Sequence, residues 1–221
     1  SGWVRHTWED CITMLSADEI NAFVYSEAER CEGLIKPKVA LGDKTDEVLK
    51  ELDAGFYDLY VEGMLLRYEV NRFYSLLKDR LFKKIQCPIL IVKNLVQFNS
   101  VVLLVNDDID VEYMMSFYLK LYAEADIPVF VVYYSAKSYE EAILREVDQC
   151  PSCLGKARDL LSAGGRSPDK LMIAEGRPEG IAEKLKGSGL VISTFRRDKG
   201  VRNSLIDIVA QTTSPILLFW N

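Results

Sequence analysis

Histidine is almost missing from this chain: its 221 residues contain one, His6. A histidine-rich metal centre is therefore excluded, and histidine-based acid–base catalysis has a single candidate. Positive charge is also in deficit. Lys and Arg number 27 against 33 Asp and Glu, a net charge of −6, whereas a general nucleic-acid binder needs a basic face to meet phosphates. No apolar run approaches the roughly 20 residues needed to cross a bilayer. No secretory leader is legible, since Arg5, Glu9 and Asp10 fall within the first ten residues. The five cysteines are odd in number and mostly scattered. That suits a reducing compartment better than a disulfide framework, and the expected location is cytoplasmic.

What is present is a large apolar fraction, 49%, enough for a sizeable core. One pattern occurs twice. Gly42 is followed by the polar residues 43–47 and then Val48, Leu49 and Leu52. Gly176 is followed by 177–180 and then Ile181, Ala182 and Leu185. Each copy reads as a strand end, a glycine turn that calls for positive φ, a short amphipathic helix and a second strand.

In order, residues 3–18 read as a helix, Ile20–Ser26 as a strand, and Lys36–Leu41 as a second strand closed by Gly42. Asp46–Ala54 is the first short helix and Tyr57–Val61 the next strand. A long helix is predicted over Glu69–Ile85, ended by Cys87-Pro88, and Ile89–Val92 is a continuous apolar strand. The pattern then restarts with a strand at Val101–Val105, a helix over 111–125 and a strand at Val129–Tyr134. Tyr139–Ala163 reads as a helical stretch interrupted at Pro151 and stopped by Gly164-Gly165. Strands at Leu171–Ala174, Leu190–Ser193 and Pro215–Phe219 follow, with helices after Gly176 and over Gly200–Gln211. Strands alternating with helices predict an α/β, doubly wound, mostly parallel sheet. Ile20–Ser26 corresponds to Ile127–Ser135, and Cys87-Pro88-Ile89-Leu90 to Ser214-Pro215-Ile216-Leu217. The organisation expected is two tandem repeats, a trimmed one over 1–95 and a complete one over 96–221.

The two glycine turn-helices, the Tyr57-Asp58-Leu59-Tyr60-Val61 strand and the Cys87-Pro88-Ile89-Leu90-Ile91-Val92 ending together resemble the universal stress protein family in its tandem form. The resemblance implies a five-stranded parallel sheet in the order 3-2-1-4-5 in each complete repeat. It also implies pairing of the final strands between domains. Nucleotide-binding members carry Gly-x-x-Gly, nine residues and Gly-Ser/Thr after the fourth strand, where bare amides near a helix start cradle phosphates. Here that region reads Ser193-Thr194-Phe195-Arg196-Arg197-Asp198-Lys199-Gly200-Val201-Arg202-Asn203-Ser204, and the family's aspartate after the first strand falls on Asn106. In the first half Gly63 stands among bulky neighbours.

Three functional readings follow. The first is a non-enzymatic stress-response or regulatory protein with a degenerate nucleotide site and no cofactor. It would act through domain association, as self-association or an internal pseudo-dimer through Ile89–Val92 and Pro215–Phe219. No nucleophile–base–orienter set is visible for an enzyme. The second is a nucleotide or anion binder, for ATP or AMP, using Asn106, Ser193, Thr194, Arg196, Arg197, Lys199, Arg202, Asn203 and Ser204; the bland alternative for its cations is a solvated basic loop. The third is a thiol redox sensor at Cys150 and Cys153, a lone CxxC that supplies only two of four zinc ligands. Asp107, Asp108 and Asp110 suit a metal loop or, more simply, an acid-rich helix start. His6 is expected on the polar side of its helix, and Trp3 and Trp8 in packing.

Overall fold

The computed structural model describes residues 18–26, 38, 40, 42–63, 70–94, 97–136, 141–147, 151–195 and 203–220. The expected helix over 3–18, with His6, Trp3 and Trp8, lies outside them. So do Arg196, Arg197, Lys199, Arg202, Cys150 and most of the strand expected at 36–41.

The chain divides into two compact units, residues 1–54 and 55–221. In the first, residues 18–26 are helical and are labelled α1. This corrects the strand expected at Ile20–Ser26, and with it the correspondence to Ile127–Ser135. Phe23, Val24 and Tyr25 favour strands only weakly, while Ile20, Phe23 and Val24 recur at the i, i+3, i+4 spacing of a helix. Gly42 turns with φ +145°, and α2 spans Lys44–Ala54. Asp43 opens that helix by accepting the Asp46 N–H at 3.1 Å.

The second unit is one sheet with helices on both faces. Its elements run β1 (Tyr60–Gly63), α3 (Val70–Leu77), α4 (Arg80–Lys84), β2 (Ile89–Val92), β3 (Val101–Val105), α5 (Val111–Tyr122) and β4 (Val129–Ser135). They continue β5 (Ile143–Glu146), α6 (Ser152–Ala163), β6 (Lys170–Glu175), α7 (Pro178–Lys184), β7 (Leu190–Phe195), α8 (Ser204–Gln211) and β8 (Ile216–Trp220). The strand order is β1-β2-β8-β7-β3-β4-β6-β5, eight strands among the described residues.

Two elements differ from their sequence patterns. The helix expected over Glu69–Ile85 is broken because Asp79 caps a new helix, accepting the Leu81 N–H at 2.9 Å. Of the helical stretch expected over Tyr139–Ala163 with an interruption at Pro151, the described part before the proline contains a strand and the part after it is a helix. β5 pairs antiparallel with β6, Ile143 opposite Glu175, and α6 starts at Ser152 with Pro151 as its N-cap. The helix thus begins just after Pro151, where the interruption is expected.

Side-chain alternation sorts the core. Val101, Leu103, Val105, Val129, Val131, Leu190, Ile192, Leu217 and Phe219 face α5 and α6, meeting Met114, Met115, Tyr118, Leu154, Ala157 and Leu161. The intervening residues Val102, Leu104, Val132, Val191, Ile216 and Leu218 are buried on the opposite face, which carries α8, packed on α7 and α3. β3 and β8 are buried at all five positions, and each buried Leu or Val contributes about 1.5–3 kcal/mol.

Besides the β5–β6 edge, a second pairing runs antiparallel, in the interior of the sheet. β2 pairs with β8 through Ile89↔Leu218, Leu90↔Leu217 and Ile91↔Ile216. On its outer side β2 pairs parallel with β1, and β8 pairs parallel with β7. The matching hydrogen bonds start each pair: Tyr60 N–H donates to Pro88 O, and Val191 N–H to Pro215 O, both at 2.9 Å. A boundary at 95/96 therefore falls between strands of a single sheet.

Candidate functional site

Open α/β sheets present ligands to the carboxyl ends of their strands, where the chain's winding reverses. Here that place lies between β3 and β7. β3 is followed by Asn106-Asp107-Asp108, and β7 leads through residues outside the described set to Asn203 and α8.

Asn106, Ser193 and Asn203 of the expected set are already engaged within the fold. The Asn106 side chain accepts the Asp108 N–H at 3.1 Å, and its carbonyl accepts the Cys153 thiol at 3.1 Å. Asp110 is the N-cap of α5, accepting the Tyr113 N–H at 2.9 Å. Ser193 is fully buried and donates to Leu104 O at 3.1 Å. Thr194 is buried beside it. Asn203 caps α8 with its own side chain, accepting the Leu205 N–H at 2.8 Å. Ser204 opens α8, and the Tyr134 hydroxyl donates to Gly176 O at 3.0 Å. Among the described residues at this end of the sheet, the Asn106 and Asn203 side chains and the Ser193 hydroxyl are thus engaged within the fold.

Cys153 lies in the first turn of α6 and is buried. Burial, reinforced by the Asp107 charge, pushes its thiol up to about 11. A helix start ordinarily favours the thiolate, but here desolvation outweighs it. Asp107 also accepts the Tyr133 hydroxyl at 2.5 Å. Burial first, then that hydrogen bond, pushes the phenol up to about 12. Among the described residues no group of three or more His, Cys, Asp or Glu is placed to hold a metal ion. Of the three acids after β3, Asp110 caps α5 and Asp107 accepts the Tyr133 hydroxyl.

Two side chains outside the expected set grip α8 at its ends. Tyr74 of α3 donates to Asn203 O at 3.0 Å and accepts the Asn203 N–H at 2.8 Å. Lys93, just beyond β2, donates to Val209 O, Ala210 O and Thr212 O at 2.6, 2.8 and 3.0 Å. A lysine directly after a fully apolar strand was the available signal for the second. Nothing local marks the first, because its partner lies 129 residues away.

The architecture and the strand-end site together define a doubly wound α/β protein with its sheet extended across an antiparallel seam. Solved universal stress proteins share this fold. The chain aligns with a universal stress protein from Archaeoglobus fulgidus DSM 4304 at TM-score 0.60 and 15% identity, over 99% of this chain and 78% of that one. A provisionally assigned universal stress protein from Pseudomonas aeruginosa UCBPP-PA14 aligns at TM-score 0.59 and 14% identity, over 92% and 77%. A functionally unknown protein from Pseudomonas aeruginosa PAO1 aligns at TM-score 0.58 and 13% identity, over 92% and 77%. No protein-family model and no curated protein matches the chain by sequence. No helix among the described residues is long and apolar enough to cross a membrane.

Proposed function

We propose that the protein is a non-enzymatic, stress-type regulatory protein whose domain association is internal and whose nucleotide site has degenerated. The observation that carries this reading is the β2–β8 seam. In the sequence correspondence Pro88/Pro215, Ile89 matches Ile216 and Ile91 matches Leu218. Ile89 pairs with Leu218 and Ile91 with Ile216, around Leu90 opposite Leu217. Each position thus meets the counterpart of the other, the self-complementarity of a two-fold interface. On this reading β1-α3-α4-β2 is the part of the trimmed repeat, 1–95, that corresponds to β7-α8-β8, so the two repeats form a pseudo-dimer within one chain. Internal capping at Asn106, Ser193 and Asn203 supports the loss of the nucleotide site.

Calorimetric titration with ATP, AMP and cyclic dinucleotides tests the site. No heat at millimolar ligand is the expected result. Binding that disappears on neutralising Arg196 and Arg197 would replace this reading with that of a nucleotide or anion binder. Sedimentation tests the association: a monomer of 25.1 kDa is expected, and a dimer broken by substitutions in β2 or β8 would overturn the internal pairing.

A further inference from the structure

Lys93 is the one lysine among the described residues that is buried, at 8% exposure. Its three acceptors, Val209 O, Ala210 O and Thr212 O, belong to the end of α8, where carbonyls lack helical partners and the helix dipole is negative. Its ammonium also lies 5.2 Å from the centre of the Phe73 ring of α3. Among the described residues no carboxylate forms an ion pair with it. The charged residues on the two helices packed against it are Asp207 of α8 and Arg72 of α3, and burial is the sole cause of its pKa shift.

The stoichiometry matters. An ammonium has three N–H donors for three carbonyls; a neutral amine has two donors and a lone pair. Deprotonation therefore leaves one carbonyl facing a lone pair, and the most distant is Thr212 O at 3.0 Å. Thr212 is the C-cap of α8, and its hydroxyl accepts the Ser214 N–H at 3.3 Å on the way into β8. The other end of α8 is held by Tyr74 through Asn203.

We propose that Lys93 is a protonation-dependent latch. As an ammonium it closes the last turn of α8 onto the end of β2; on giving its proton to water it releases the Thr212 carbonyl and loosens the α8–β8 junction. Burial pulls the lysine from 10.5 down to about 7, so the change falls near neutral pH, while the three carbonyls and the helix dipole pull the other way. Tyr74 confines the response to the last turn of α8.

The test is a pH titration of the full chain by heteronuclear NMR, from about pH 6 to about pH 9.5, a window below the ordinary lysine range. It follows the amides of Val209 to Ser214 and the Lys93 side-chain nitrogen. In the wild type both should titrate together, at least tenfold in proton concentration away from the ordinary lysine midpoint, with Asn203 and Leu205 unmoved. Lys93→Arg, permanently charged, should hold the low-pH spectrum throughout. An unchanged Lys93 nitrogen across this range would overturn the latch, as would the same backbone titration in Lys93→Arg. If the variant does not fold, the wild-type side-chain signal decides alone.

Discussion

Gly180 lies inside α7, where alanine is the better helix former by about 0.5–1 kcal/mol. By propensity alone, Gly180→Ala should stabilise the protein. Space reverses the sign. A Cβ on Gly180 would lie 2.5 Å from the Cβ of Ala142, whereas the next atoms, Ala142 Cα and N, stand at an ordinary 3.7 and 3.8 Å. The conflict is thus with one methyl group, on the segment leading into β5. Overpacking costs about 1–3 kcal/mol, so the single variant should lose roughly 0.5–2 kcal/mol after the propensity gain. In an Ala142→Gly background the obstructing methyl is gone, and Gly180→Ala should stabilise by about 0.5–1 kcal/mol. The cycle of wild type, two single variants and the double variant, measured by urea unfolding, should show a coupling of about 1–3 kcal/mol. Gly176→Ala is the control. There φ is +126° and the obstructing atoms are backbone, Ala142 Cα at 2.8 Å and Glu141 O at 3.1 Å, so Ala142→Gly should bring no rescue. Additivity of Gly180→Ala and Ala142→Gly within about 0.5 kcal/mol would refute the close approach of residues 141–142 to α7.

Tyr74→Phe should cost about 1–3 kcal/mol in urea unfolding, because one hydroxyl serves both backbone groups of Asn203. Lys93 makes stability pH-dependent. Its folded pKa, about 7, lies below the ordinary 10.5, so between these values the unfolded chain binds more protons. Its contribution therefore rises with pH across that window, is least below it, and should disappear in Lys93→Met when urea midpoints are compared over pH. At pH 8, with a thiol pKa of about 11, roughly one Cys153 in a thousand is thiolate. Peptide mapping after brief alkylation should find Cys153 unlabelled in the native protein and labelled in urea; native labelling as fast as in urea would contradict its burial.

The parts of this fold legible in the sequence are those that local chemistry decides. Gly42 and Gly176 each follow an apolar run and precede a polar helix start, a pattern that calls for positive φ, and they have φ +145° and +126°. The continuous runs Ile89–Val92 and Val101–Val105 are strands because an apolar run between turn signals has few other fates. Misreadings arose where tertiary pairing or a side-chain cap overrode local pattern. Residues 143–146 are a strand because β6 offers an antiparallel edge, and Asp79 breaks a helix by a capping bond that apolar periodicity does not reveal. The site was legible as a place rather than as chemistry. Sequence put Ser193 and Asn203 at the right end of the sheet, but not that Ser193 bonds Leu104 O or that Asn203 caps its own helix. Hydroxyls and amides look alike in sequence whether they await a ligand or have already been satisfied.

The seam constrains how this protein can meet others. An open sheet exposes unpaired backbone at its two edges, a standing invitation to another strand. β8, buried at all five positions, could not remain an edge, and β2 covers it. β1 then covers β2. Among the described residues the edges left are β1 and β5, four residues each, carrying Glu62 on one and Arg145 and Glu146 on the other. Short, charged edges resist further pairing. The strand surface most suited to association is therefore used within the chain. Segment 55–94 follows the same logic. Its two strands cannot bury themselves, yet Phe73, Ile89 and Ile91 are fully buried because α8 and β8 lie against that segment. It need not carry a site of its own to be required. It completes the sheet and holds α8 at both ends, through Tyr74 and Lys93.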